Sequence, residues 1–282
     1  MTTSSLVGNM ADSMRIPTLS ASVERIRAVL STPDVAMPAV VAAFLTDPPL
    51  AAKVLKIANS AHYGLRSSTT SLQTAISVLG LRTLSMIVLR AGILTAYSET
   101  PDREDFSLEE LWKHSILTAH ASESLARYCR TRKTDMSPQD YYTCGLLHDI
   151  GKIVLYDNLG EQYVEAARQA HNHGTSLEAE EIKQLGMSHA DAGAMAALLW
   201  KLPQPIPAII RGHHRPSAAV GLVDVVSIVA CADEIAHVVA SQPLGDPEEL
   251  AAGIKTHPGG LKDADLVRSI SEAITSWNKL EL

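Results

Sequence analysis

Five separated places in this chain each offer a metal ligand: His114, the adjacent His148-Asp149, His189, the adjacent His213-His214, and Asp233. The chain holds 11 histidines in 282 residues, and five of them fall in this set, so a histidine-rich composition does not explain it. Neutral imidazoles and carboxylates are the donors from which two-metal hydrolytic sites are made. An adjacent His and Asp can grip one ion together, while the second oxygen of Asp149 reaches a neighbouring ion. Lys152 lies one turn past His148, where an ammonium can meet a bound phosphate.

Each place also has a plainer reading on its own. Glu110 and His114 sit four residues apart on one helix face and can form an ordinary side-chain pair. His189, near a helix start, can be a capping or surface histidine. His213-His214 can be solvated on a loop. Asp233 stands in the apolar run VSIVACADEIA. A carboxylate buried there needs a partner, because leaving it unpaired is costly. A metal would supply that partner, and so would His237 one turn on. Taken jointly, the five places point to a metal site.

The elements that must carry these residues read as helices. Apolar positions recur at helical spacing over Glu24–Leu30, Met37–Thr46, Leu50–Asn59, Leu72–Leu79 and Leu81–Tyr97, with Pro33, Pro38 and Pro48-Pro49 marking starts. Ser107 and Glu110 have the spacing of a capping box ahead of a helix from about Leu108 to Arg130. Pro138 opens a helix that reaches His148. Further helices are expected over Glu161–His173, from Ser176 to near Gly186, and over His189–Trp200 behind Ser188. A short helix leads into His213-His214, a long apolar one spans Val223–Val239, and a last one runs from about Ala264 to Leu280. The fold class expected is all-α. The acidic loop SETPDREDF (98–106) is the softest boundary, with every candidate ligand on its C-terminal side.

Composition narrows the function. The net charge of −7 disfavours generic binding to nucleic acid, and 4% aromatic residues leave little for base stacking. No run of 18 uninterrupted apolar residues is present, so no membrane span is expected. MTTSSLVGNMADSM lacks the features of a secretory signal and reads as a polar leader. The cysteines Cys129, Cys144 and Cys231 have no CxxC spacing, which fits a reducing, cytoplasmic location. Cys144 and Cys231 lie in apolar runs and read as core residues.

Longer motifs carry a resemblance. IPTLS (16–20), LTDPPLAAKVLKIANSAHYG (45–64) and LQTAISVLGLRTL (72–84) resemble the N-terminal hallmarks of HDOD domains. LWKHSILTA (111–119), GLLHDIGK (145–152), SHADAGAMAALLW (188–200), LPQPIPAIIRGHH (202–214) and IVACADEIA (228–236) resemble the HD-like half of that family, within the HD phosphohydrolase superfamily. The resemblance implies an HDOD domain over 15–240, made of an N-terminal helical half (15–100) packed on an HD-like metal-binding half (107–240). Residues 1–14 would be a disordered leader and 241–282 a C-terminal helical extension.

The ligand pattern is also similar to that of HD-GYP phosphodiesterases. Carried over by motif, it implies Glu110, His114, His148, Asp149, His189, His213, His214 and Asp233 as metal ligands, with Lys152 near phosphate. The chain departs from that pattern after His213-His214, where RPSAAVG replaces the HHExxDGxGYP run, so cyclic di-GMP is expected to be a poor substrate. The implied cofactor is a pair of transition-metal ions, iron first, with manganese, nickel or zinc compatible with the same donors. The leading expectation is a bacterial signal-transduction module with a di-metal centre, acting on a signalling partner. The alternative is a metal-dependent phosphohydrolase of a nucleotide-type substrate, in which Asp149 bridges the ions and Lys152 stabilises phosphoryl charge. In the N-terminal half, Asn59, Ser60, His62 and Tyr63 close an apolar helix, as a local cap or as part of a groove for a partner segment.

Overall fold

The structure, a computed structural model, describes residues 14–60, 67–100, 106–129 and 136–280. The regular elements among them are helical, giving an all-α fold. The chain forms two compact units. One spans Pro17–Pro101; the other takes in Asp102–Leu282 and the N-terminal residues up to Ile16.

Among the described residues the first unit has four helices: α1 (Ala21–Leu30), α2 (Met37–Leu45), α3 (Pro48–Ala58) and α4 (Leu72–Ala96). The first three pack on α4. Ile26, Val40, Phe44, Val54, Ile76, Leu84, Val88 and Ile93 are fully buried between them. Side-chain caps set the starts. Asp47 accepts from Leu50 N at 3.1 Å, ahead of Pro48 at the first helical position.

α4 is bent where the sequence divides it. Gly80 has φ 75° and ψ 157°, a conformation that a residue with a Cβ resists, so the two apolar runs on either side are separate helical segments. By length and composition α4 could cross a membrane, but half of its apolar window is buried within the protein. Asn59 closes α3 locally: its Nδ2 donates to Thr69 O at 2.8 Å and its Oδ1 accepts from Thr69 N at 2.7 Å. His62 and Tyr63 lie outside the described residues.

The second unit is built around α5 (Leu108–Tyr128), which packs on α6 (Pro138–Leu147), α12 (Val223–Ser241) and α14 (Asp263–Leu280). Between α6 and α12 come α7 (Ile150–Leu159), α8 (Glu161–His173), α9 (Leu177–Leu185), α10 (His189–Leu199), α11 (Ile206–Gly212) and a 3₁₀ turn at Pro216–Ala218. A short α13 (Pro247–Ala251) precedes α14. Periodicity does not announce α7. Its sequence, IGKIVLYDNL, is apolar on nearly every face, and its buried Ile150, Ile153, Val154, Leu155 and Tyr156 leave no polar stripe to read.

Hydrogen bonds to α5 and α12 fix the C-terminal segment. Ser124 Oγ and Ser269 Oγ are 3.0 Å apart in the buried α5–α14 seam, and Tyr128 OH donates to Glu272 at 2.8 Å. Glu234, next to Asp233 on α12, accepts from Lys255 N at 2.5 Å and from Thr256 Oγ1 at 2.5 Å. Cys144 and Cys231 are buried free thiols, and burial pushes both well above the ordinary thiol range, as core cysteines.

Candidate metal centre

Five segments converge on one point in the second unit. His114 comes from the middle of α5, His148 and Asp149 from the turn between α6 and α7, and His189 from the first residue of α10. His213 and His214 follow α11, and Asp233 projects from α12. His148, Asp149, His189, His213 and Asp233 are buried. Seven of the eight ligands expected from the sequence gather in two groups, Asp149–His189–His213–His214 and His114–His148–Asp233.

Asp149 stands between the groups. Its Oδ1 is 3.3 Å from His189 Nε2 and 3.7 Å from His213 Nε2. Its Oδ2 is 3.3 Å from His148 Nε2, 3.5 Å from His114 Nε2 and 2.6 Å from Lys152 Nζ. One carboxylate thus turns a different oxygen to each group. In the second group, Asp233 Oδ1 lies 3.0 Å from His114 Nε2 and 3.4 Å from His148 Nε2.

The hydrogen bonds behind these residues set their tautomers. His148 Nδ1 donates to Gly145 O at 2.8 Å, and His213 Nδ1 donates to Ile210 O at 2.6 Å. A carbonyl only accepts, so each Nδ1 carries a proton and each Nε2 is the nitrogen turned to the site; His148 Nε2 would offer its lone pair to an ion on giving up the proton that Asp149 and Asp233 hold there. His189 is held by a residue that the sequence reading passed over. Glu181 Oε2 accepts from His189 Nδ1 at 2.6 Å and from His189 N at 2.8 Å. Glu181 is fully buried, and a carboxylate behind a histidine is the arrangement that orients metal-ligating imidazoles. Its signal was present: Leu177, Glu181 and Leu185 repeat every four residues, so a carboxylate occupies an inward position of α9.

Glu110 does not join the gathering. Its carboxylate is 66% exposed and sits 2.9 Å from Lys113 Nζ, in the first turn of α5. Only half of the expected capping box forms, since Ser107 Oγ accepts from Glu110 N but the Glu110 side chain turns to Lys113. His237, by contrast, does approach, with its Nε2 3.3 Å from Asp233 Oδ1.

The donors fit metal ions. Among the described residues, Asp149 Oδ1 and His213 Nε2 are buried without a hydrogen-bond partner, a state that costs free energy unless something else satisfies them. Ligand atoms adjacent around one ion, with bonds near 2.1 Å, lie about 3.0–3.4 Å apart. The separations between Nε2 and carboxylate oxygens here cluster around that spacing. The electrostatics agree. Burial would lower His148, but Asp149 and Asp233 hold it up to about 10. Burial would raise Asp149 and Asp233, yet the surrounding histidines, with Lys152 at Asp149, keep both well below the usual carboxylate range. The two anions create a local demand for positive charge of the kind a divalent cation meets. Burial, with His189 beside it, lowers His214 to about 4, and burial with His214 and His148 takes His213 well below the ordinary imidazole range. Both are therefore neutral at pH 7, the form that binds metal.

Close helix packing makes this convergence possible. A Cβ on Gly151 would fall 1.8 Å from His189 O and 2.6 Å from Gly193 N, so the glycine of the HDIGK motif lets α7 touch α10. Beside His213-His214 lies a cleft of about 510 Å³, bordered by Ser188, Arg211, Gly212 and Arg215.

Comparison with known proteins agrees with this architecture. Residues 16–216 match the HDOD domain. The chain belongs to the HDOD family. It is similar to an HDOD domain protein of Geobacter sulfurreducens whose function is unknown, with 24% identity and a TM-score of 0.76 over 98% of this chain and 97% of that one. It is similar also to a candidate phosphohydrolase from Shewanella amazonensis SB2B, with 24% identity and a TM-score of 0.74 over 98% of both chains. A candidate signal transduction protein from Marinobacter aquaeolei VT8 shares the fold at 18% identity and a TM-score of 0.72, over 99% of this HDOD chain and 66% of its own. In sequence, an uncharacterized protein of Treponema pallidum (strain Nichols) is 27% identical over 233 residues, 82% of this chain. The HDOD chain spans 44% of that relative's length.

Proposed function

We propose that this HDOD protein is a metal-dependent phosphohydrolase acting on a phosphoester of nucleotide type. The observation that carries the reading is Asp149, whose two oxygens face two separate sets of imidazoles. Asp149, His189, His213 and His214 would hold one ion; His114, His148 and Asp233, sharing Asp149, would hold the other. When bound, such a pair of ions supplies Lewis acidity and the means to activate water near neutral pH. The histidine- and carboxylate-rich donor set would suit iron, manganese, nickel and zinc alike, and iron is the metal proposed first.

The protein's own residues then have distinct tasks. Glu181 holds His189 in one tautomer and orientation. Gly145 O and Ile210 O do the same for His148 and His213. Burial would lower the Lys152 ammonium, but Asp149 beside it raises it above its ordinary value, so its charge is kept. From Asp149 it offers that charge to a phosphoryl oxygen. The neighbouring cleft suits the organic remainder of the substrate, with Arg211 and Arg215 at its edge.

The test is release of phosphate or nucleotide from a panel of nucleoside phosphates, cyclic nucleotides, cyclic dinucleotides and aryl phosphodiesters, with iron or manganese supplied. Turnover by the wild type and none by Asp149→Asn is the expected result, with cyclic di-GMP a poor substrate. A regulatory module is the second reading, favoured by the longer Treponema relative, in which the matching region makes up less than half of the chain. Metal-loaded protein that turns over nothing in the panel would leave that reading standing, with a signalling protein as partner. Elemental analysis of protein purified without chelator or affinity metal decides the ion.

A further inference from the structure

His237 is outside the ligand set that the family pattern implies, yet it faces the same oxygen as two members of that set. Asp233 Oδ1 has the Nε2 atoms of His114 at 3.0 Å, His148 at 3.4 Å and His237 at 3.3 Å. Three imidazole nitrogens surround one buried carboxylate oxygen. The His237 ring also lies beside that of His114, with centroids 4.6 Å apart and planes tilted by 37°. Asp233 and His237 are four residues apart on α12, so both side chains leave one helix face. Two ligands at that spacing on one helix are a recurrent way to hold a single ion, as in the HExxH motif.

We infer that His237 is a further ligand of the ion held by His114, His148 and Asp233. The inference rests on the two-ion reading and adds a donor to it. The two groups are unequal without it, since the first has three histidines and the second has two. His237 balances them with a third imidazole. Its side chain is 64% accessible; it is exposed like His214 of the first group and unlike the fully buried His148. The second ion would therefore have one ligand on the solvent side.

The plainer role for His237 is a surface hydrogen bond to Asp233, and two variants separate the roles. His237→Ala removes both the hydrogen bond and the nitrogen donor. His237→Gln keeps a hydrogen-bond donor towards Asp233 without the imidazole. Full-length protein is stripped of metal, reloaded with cobalt(II), and followed by its visible absorption and by competition with a chelator. Wild-type protein is expected to take up two ions. Both variants are expected to hold one of the two about 10–100-fold more weakly and to change the cobalt absorption, because an imidazole has been lost from the coordination shell. Melting temperatures of the metal-free proteins should agree, since His237 is exposed. Wild-type affinity and spectrum in both variants would overturn the inference alone. Weakening in His237→Ala that His237→Gln restores also overturns it, by assigning the hydrogen bond. Wild-type protein that takes up no cobalt would overturn the two-ion reading along with it.

Discussion

Asp149 is the residue on which the most interactions meet. Its Oδ2 accepts from Lys152 at 2.6 Å and faces His148 and His114, while its Oδ1 faces His189 and His213. Replacing it by alanine removes a donor shared by both groups, so most bound metal should be lost, as read by elemental analysis after gel filtration. Lys152→Met makes a different prediction. No ligand is removed, so the metal content should stay at the wild-type level. Turnover should fall about 10²–10³-fold, the scale for losing one preorganised contact that stabilises developing charge. Loss of metal in that variant would show that Lys152 serves chiefly to hold Asp149. Glu181→Gln keeps the size and an accepting oxygen for His189 but removes the negative charge. Metal affinity should drop about 10–100-fold in chelator competition, the usual cost of losing an outer carboxylate.

At the scale of elements, the site depends on how closely α7 and α10 approach. Gly151→Ala would place a methyl group against His189 O, which is backbone and cannot swing aside. The helices must separate, at a cost of about 1–3 kcal/mol or somewhat more. The melting temperature should fall by about 2–4 °C for each kcal/mol, and His189 should be displaced with α10, weakening metal binding as well. An unchanged melting curve would contradict the packing described. Much of this layer was legible in the sequence. Gly80 divided two apolar runs, Pro48 and Ser188 marked helix starts, and seven of the ligands implied by the HD-GYP-like pattern sat at the ends or faces of helices. Other parts were hidden for physical reasons. α7 is buried on most faces and so has no amphipathic signature. The inward position of Glu181 on α9 was legible, but its contact with His189, eight residues on, depends on how the turn between α9 and α10 folds back. Glu110 has the right spacing from His114, but a lysine three residues on competes for its carboxylate in solvent.

At the scale of the whole molecule, the burial of so many ionisable groups at one centre ties stability to pH. In metal-free protein, burial lowers His114, His213 and His214, the last to about 4. The unfolded chain takes up protons on these histidines near pH 6.5 while the folded one does not, so stability falls as the pH drops from about 6.5 towards 4. His148 works in the opposite sense. Its folded value is raised to about 10, against the effect of burial, by Asp149 and Asp233. Its contribution is complete below about pH 6.5 and is lost as the pH rises towards 10. The two trends meet near neutrality, so the melting temperature of chelator-treated protein should pass through a maximum around pH 6–7. Bound metal changes the shape of that curve. Ions take neutral imidazoles, and their release on acidification is coupled to uptake of several protons. Metal-loaded protein should therefore melt higher than the chelated form at pH 7 and lose that advantage steeply below about pH 6. Melting scans of both forms between pH 5 and 9 check this. A chelated protein that grows more stable from pH 6.5 to 5 would mean that His114, His213 and His214 are not held neutral by burial.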